Sequence, residues 1–411
     1  MLALLGGSRV RTRPFASWPV FGQAEERRLL ATLRSGNWGR LDGPEVEEFE
    51  RRFAGMHGCS HGIAVANGTV ALHVALLASG IAAGDEVIVP PYTFVSTASA
   101  VVETNAVPVF ADVGLDSFNI SPQAVAAAIT PRTRAIIPVH FGGHPAEMDE
   151  LMTIARDHDL IVIEDAAHAH GASYHDRPAG SLGHLASFSF QSSKNLTSGE
   201  GGIITTNDEA LADSCRSIQN CGRVGGGMWY EHHVIAGNYR LGEFQGAVLN
   251  CQLDRLDGQT RTRDGNGRYL AARLGRVPGL RPQTLREACT RHSYHLFLLR
   301  LDAEFGAPRH LVLKALEAEG IPCSAGYGYP LPDQPLFRNK AFGPYLADAS
   351  AGLDFSKAQC PNADRLCREQ CIWLGQNLLL GSREDMDDIA LAFEKIYEHR
   401  HTLIDLDVHA G

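Results

Sequence analysis

At 411 residues the chain is longer than one ordinary hydrophobic core organises, so a large domain with a smaller companion is expected. Hydrophobic residues make up 44% and charged residues 20%, average globular usage that excludes a disordered, collagen-like or coiled-coil chain. The formal net charge of -10 gives a polyanion no global attraction, so nucleic acid is not an expected partner and any phosphate must be held locally.

The start, Met1-Leu-Ala-Leu-Leu-Gly, is too short for a signal core, and its arginines follow the apolar run instead of preceding it. No run of about 18 apolar residues follows, so a cytoplasmic protein without membrane contact is expected. From Gly62 short apolar runs alternate with helical stretches. Gly62-Ile-Ala-Val-Ala-Asn67 predicts a strand and Thr69–Leu77 a helix, followed by a strand at Glu86–Pro90, a helix over 95–104 and a strand at Val107–Ala111. A helix over 122–129, a strand at Ala135–His140 and a helix over 147–157 lead to Leu160-Ile-Val-Ile-Glu-Asp165. The unbroken apolar character of that run suits a strand covered on both faces of a largely parallel sheet. Asp165 then falls at a C-terminal strand end, where ligands of open α/β sheets collect.

After Asn238 a long helical stretch to about 275, rich in Arg, Asp and Gln, predicts a connection between domains. We place an N-terminal arm and large cofactor-binding domain at 1–260 and a small C-terminal domain at 261–411. Within the latter, His292–Arg300 reads as a strand and 308–319 as a helix closed by Gly320. The last helix enters at Ser382 with Asp385 as a capping-box partner and carries an apolar stripe through Met386, Ile389, Leu391, Ala392 and Ile396. The nine cysteines lack paired C-x-x-C spacing and read as reduced thiols. Cys367 and Cys371 would lie one helical turn apart, but core packing is expected there and no metal.

Three segments carry the chemistry. Lys194 follows a β-like run in Ser187-Phe-Ser-Phe-Gln-Ser-Ser-Lys194 and precedes a glycine-rich turn, Gly199-Glu-Gly-Gly202. A lysine partly enclosed there loses its proton more readily and can form a Schiff base, whereas the alternative is a solvated loop lysine. Asp165 could hold the proton on the pyridine nitrogen of pyridoxal phosphate (PLP). His168, three residues on, could meet the phenolic oxygen or ring face of that cofactor, or be a satisfied core histidine. Asn67-Gly-Thr69 joins a strand to a helix, where exposed N–H groups and the positive helix end favour a phosphate, although most such junctions are only tight turns. Ser189 adds a hydroxyl, and Phe94 offers a ring that could stack on the pyridine or lie in the core.

Seven blocks stand in one order: Asn67-Gly-Thr-Val-Ala-Leu72, Pro91-Tyr-Thr-Phe94, Pro138-Val-His-Phe-Gly142, Glu164-Asp-Ala-Ala-His168, Ser187–Lys194, Gly199-Glu-Gly-Gly202 and Gly237-Asn-Tyr-Arg-Leu241. From about Pro14 to Ile396 the chain thereby resembles the DegT/DnrJ/EryC1/StrS family of PLP-dependent aminotransferases of keto-sugars and keto-cyclitols. The resemblance implies an α/β chain with the PLP-dependent transferase fold type I, as in aspartate aminotransferase. It further implies an internal aldimine on Lys194, Asp165 at the pyridine nitrogen, His168 at the phenolic side, Phe94 on the ring face, and Gly68, Thr69 and Ser189 around the phosphate. Because family members complete the phosphate site with an asparagine from the partner subunit, Asn238 in the matching block implies a homodimer with shared sites.

The resemblance also implies glutamine or glutamate as amino donor, and nothing in the sequence separates the two. The N-terminal stretch Leu4–Pro14 and the Ser189–Gly202 segment look more like cyclitol and aminoshikimate-type members. A keto-cyclitol such as an inosose, in aminocyclitol antibiotic biosynthesis, is therefore the expected acceptor. A nucleotide-linked keto-sugar and an aminoshikimate-type dehydration remain the alternatives. His295, Tyr327 and Tyr329 are candidate substrate-side residues, each with a core or loop reading beside it.

Overall fold

The computed structural model describes residues 1–346 and 352–403. Strands β1 His61–Val65, β2 Glu86–Val89, β3 Val107–Phe110, β4 Thr133–Ile136, β5 Ile161–Asp165, the short pair β6 Ser173–Tyr174 and β7 Arg177–Pro178, β8 Leu185–Ser189 and β9 Gly202–Thr206 occupy the first half of the chain. Seven of them form one sheet in the order β1-β9-β8-β5-β4-β2-β3. Only β9 runs against its neighbours, so β1, β2, β3, β4, β5 and β8 point the same way. Helices on both faces explain the unbroken apolar runs: Val87, Ile88 and Val89 are buried on successive sides of the pleat. The shared direction has a functional consequence, because the C-terminal ends of β1, β2, β5 and β8 open on one rim of the sheet.

A second, antiparallel sheet of β10 Leu280–Pro282, β11 Leu296–Leu301 and β12 Cys371–Gly375 packs with the helices Arg309–Glu319 and Arg383–Glu398 around Phe297, Leu299, Leu316 and Phe393. One unbroken 32-residue helix, Glu243–Leu274, links the two bodies. Its early residues Leu249, Leu253 and Leu256 pack with Phe49 and Phe188 near the large sheet, and its late residues Leu270 and Leu274 join the second core. The boundary drawn at 260/261 falls inside this helix.

Three sequence expectations change. The run Ala135–His140 is a strand only through Ile136, because Pro138 has no N–H to give to a ladder. The strand expected at His292 begins at Leu296, and Tyr294 takes a left-handed φ of 45° just before His295. Leu391 is half exposed, whereas Met386, Ile389, Ala390, Ala392, Phe393 and Ile396 form the buried stripe. The caps were legible: Ser382 and Asp385 form the reciprocal capping box. Gly320 ends its helix at φ +94°, against the Arg11 carbonyl, where a side chain would collide. Cys367 and Cys371 both lie in the core, and all nine cysteines are free. No helix of the described residues is long and apolar enough to cross a membrane.

Candidate active site

A cavity of about 950 Å³ opens at the rim where the C-terminal ends of β1, β2, β5 and β8 meet. Asp165, His168, Lys194, Gly68, Thr69, Phe94, Ser189, His295 and Tyr327 all line it. Tyr329 does not. Its ring is half exposed and packs under the Arg368 guanidinium, outside the cavity of its own chain.

The helix Gly68–Ala78 starts where β1 ends, with the Asn67 side chain accepting from Val70 N–H as its N-cap. Its first turn therefore keeps free N–H groups facing the cavity, and Thr69 Oγ1 lies 2.6 Å from Ser96 Oγ. Gly68 is required by close approach: a Cβ there would sit 2.8 Å from that of Ser189. Helix end, glycine and two hydroxyls thus form a cradle fitted to a phosphate. Phe94 follows β2 and is 59% exposed, so it is a free ring at the cavity and not a core residue.

Asp165 ends β5 and is buried, with Oδ2 accepting from Thr97 Oγ1 at 2.8 Å and Oδ1 from Ala167 N–H at 3.2 Å. Burial raises its pKa above the ordinary value, although Thr97, Ala167 and the Lys194 charge pull against it. Lys194 reaches the cavity from the turn after β8. Burial lowers its pKa to about 8 despite the opposing Asp165 carboxylate, so a fraction of the amine is unprotonated at neutral pH.

The two cavity histidines are held as opposite tautomers. His168 Nδ1 accepts the Gly142 N–H at 3.3 Å, which leaves the proton on Nε2. Asn195 donates to the Ser293 carbonyl, so its Oδ1, 3.3 Å from His295 Nδ1, accepts a hydrogen bond from that ring's Nδ1–H. The rings lie 4.2 Å apart between centroids, and burial lowers both pKa values well below the usual histidine range.

The sequence reading missed several lining residues. Thr93 and Ser96 flank Phe94 in or just after the motif already singled out, and Thr97, behind the wall on Asp165, was signalled by its i, i+4 spacing from Thr93. Gln191 lies inside the Ser187–Lys194 block, whereas Trp18, Trp373, Gln376 and Asn377 come from distant segments that carry no local mark. Asn238 is exposed and outside this cavity. It does not cap the following helix either, since the N-cap there is Gly242.

The DegT/DnrJ/EryC1/StrS aminotransferase family model matches residues 20–393. The chain belongs to that family. It is 40% identical over 420 residues to an L-glutamine:2-deoxy-scyllo-inosose aminotransferase of Streptomyces fradiae, covering 97% of this chain and 98% of the relative. It is 37% identical over 374 residues to the 3-amino-5-hydroxybenzoate synthase of Amycolatopsis mediterranei, covering 90% and 94%. A crystal structure of 3-amino-5-hydroxybenzoic acid synthase superposes with a TM-score of 0.86 at 35% identity, covering 95% of this chain and all of that one. The chain thus has the aminotransferase fold of this family, with its mixed, mostly parallel sheet.

Proposed function

We propose that the protein binds PLP through Lys194 and transfers the amino group of L-glutamine to a keto-cyclitol such as an inosose. The observation that carries this reading is the convergence of Lys194 and Asp165 in one cavity with the phosphate cradle at Gly68, Thr69 and Ser189. PLP, when bound, supplies an electron-withdrawing ring that acidifies the carbon carrying the amino group. Asp165 holds a proton on the ring nitrogen, and Thr97 fixes the carboxylate for that task. The Lys194 amine, with its lowered pKa, would take the proton from the donor's α-carbon and carry it to the cofactor carbon on the far side of the transferred nitrogen. His168 would offer its Nε2–H to the phenolic side, and Phe94 would cover a ring face.

The choice of acceptor rests on the relatives' names and on the lining. Among the described residues, Lys194 is the only lysine or arginine at the cavity wall. Arg13, in the adjoining groove, is shared among Glu384, Asp385 and Asp388. A neutral polyol fits this wall of Trp18, Gln191, Tyr327, Trp373 and Asn377 better than a nucleotide diphosphate does. We further propose a homodimer in which Asn238 reaches the partner's phosphate cradle. The exposed Met228, Trp229, Tyr230 and Ile235 on the segment just before it support that reading. We also propose a cytoplasmic location, a reading that the free cysteines support.

The test is incubation of the PLP-loaded protein with L-glutamine or L-glutamate and a panel of keto-cyclitols, nucleotide-linked keto-sugars and an aminoshikimate, with products identified by mass spectrometry. An aminocyclitol is expected. Aminated nucleotide sugar or an aromatic amine as the sole product would replace this reading with one of its two alternatives.

A further inference from the structure

Arg263, on the long helix Glu243–Leu274, is fully buried, and no carboxylate among the described residues pairs with it. Its Nε and Nη2 both donate to Gln376 Oε1, at 2.9 and 2.6 Å, while Nη1 is buried without a partner. The Trp18 ring lies 5.2 Å from the guanidinium carbon. Burial alone lowers the pKa to about 9, so the group is still charged at neutral pH. A fully buried, unpaired cation is costly and calls for an anion nearby.

Gln376 and Trp18, which both contact this charge, also line the cavity. A guanidinium has only donors, so the amide atom facing Arg263 must be the oxygen. The Gln376 Nε2 is thereby turned away from Arg263, and no acceptor among the described residues takes it. The charge is felt at the cavity, because it helps to keep His295 neutral.

We propose that Gln376 is a substrate-contacting donor for the α-carboxylate of the amino donor, and that Arg263 is its positioning residue and the source of the positive charge that carboxylate requires. The proposal rests on the reading of the protein as an aminotransferase that uses an α-amino acid. Lys194 is committed to the cofactor, and a neutral cyclitol gains little from an unpaired charge behind the wall. The donor carboxylate is the one reactant group that uses both the fixed N–H and the charge.

The test compares L-glutamine with 4-aminobutanamide, the same amine without the α-carboxylate, by the absorbance change of the PLP-loaded protein in the donor half-reaction. Wild type is expected to prefer glutamine. Gln376→Glu sets a carboxylate against Arg263, which should hold or raise the melting temperature while cutting the glutamine preference by about tenfold or more. Gln376→Leu should cut it without adding charge. In both variants the ketone half-reaction should lose distinctly less than the glutamine half-reaction. A preference unchanged in both variants overturns the proposal, as does an equal loss with glutamine, the amine and the ketone, which marks a merely structural role. Wild type that reacts equally well with both amines overturns the proposal and leaves the aminotransferase reading intact. Wild type that takes an amino group from neither glutamine nor glutamate removes both.

Discussion

Thr97 Oγ1 donates to Asp165 Oδ2 across 2.8 Å, and Thr93 Oγ1 lies 2.9 Å from the same Thr97 hydroxyl. Since an ionised carboxylate only accepts, Thr97 must spend its proton on Asp165, and Thr93 supplies the hydrogen bond that Thr97 accepts. Burial raises the Asp165 pKa and Thr97 opposes it, so Thr97→Val should move the acidic limb of the pH–rate profile to higher pH. The donor half-reaction should slow by about tenfold, the worth of a hydrogen bond to a charged group. Asp165→Asn should retain much of the cofactor and slow the half-reaction by about a hundredfold or more. A Thr97→Val profile superimposable on wild type would remove Thr97 from this role.

Lys194 gives a pH signature in the cofactor-free protein. Its folded pKa, about 8, lies below the ordinary 10.5, so the folded state binds fewer protons than the unfolded chain between those values. Stability should therefore rise with pH across that window, and the burial penalty should be fully present below it. Relative to Lys194→Met, wild type should gain on the order of 2 kcal/mol between pH 8 and 10.5 by denaturant titration. In the loaded protein, borohydride should fix the cofactor to Lys194, and a labelled peptide containing another lysine would refute the assignment.

Behind the cavity, His140 Nε2 lies 2.8 Å from Glu164 Oε2, both fully buried. The Ala146 N–H donates to His140 Nδ1, so the ring is neutral and its Nε2–H donates to the carboxylate. Glu164 also accepts from the N–H groups of Gly180, Leu182 and Gly183, pinning the loop between β7 and β8. Burial pushes the Glu164 pKa up, but His140 and the loop N–H groups more than offset it, leaving the pKa below 4.5. A depressed carboxylate pKa stabilises above its unfolded value and stops doing so as pH falls through the folded one. Glu164→Gln should therefore cost about 1–3 kcal/mol at neutral pH and flatten the loss of stability below pH 4.5. Equal acid midpoints for the two proteins would contradict this.

Shared sites can be detected by mixing inactive subunits. Lys194→Ala chains combined with Asn238→Ala chains should form hybrids with one intact site and one doubly defective site, so activity should rise above either parent. Confirmed subunit exchange with no recovery would show that Asn238 does not serve the neighbouring site.

The sequence by itself determined the alternation of strands and helices, the caps at Ser382 and Gly320, and the motif residues that line the cavity, because each of these is encoded locally. A strand end, a glycine junction and a lysine before a glycine-rich turn each leave a mark within a few residues. Family resemblance then joined those marks into one site. Tertiary structure decided what no window of sequence holds. The parallel run of β1, β2, β5 and β8 brought Gly68, Phe94, Asp165 and Lys194 to one rim, and the long helix carried Arg263 from its own segment to Gln376. The left-handed turn at Tyr294 placed His295 against His168, while Tyr329, two residues from the cavity-lining Tyr327, went to the surface. The physical reason is that a substrate wall is built by packing between distant segments, whose contacts depend on how whole elements are oriented and leave no periodicity in any one of them.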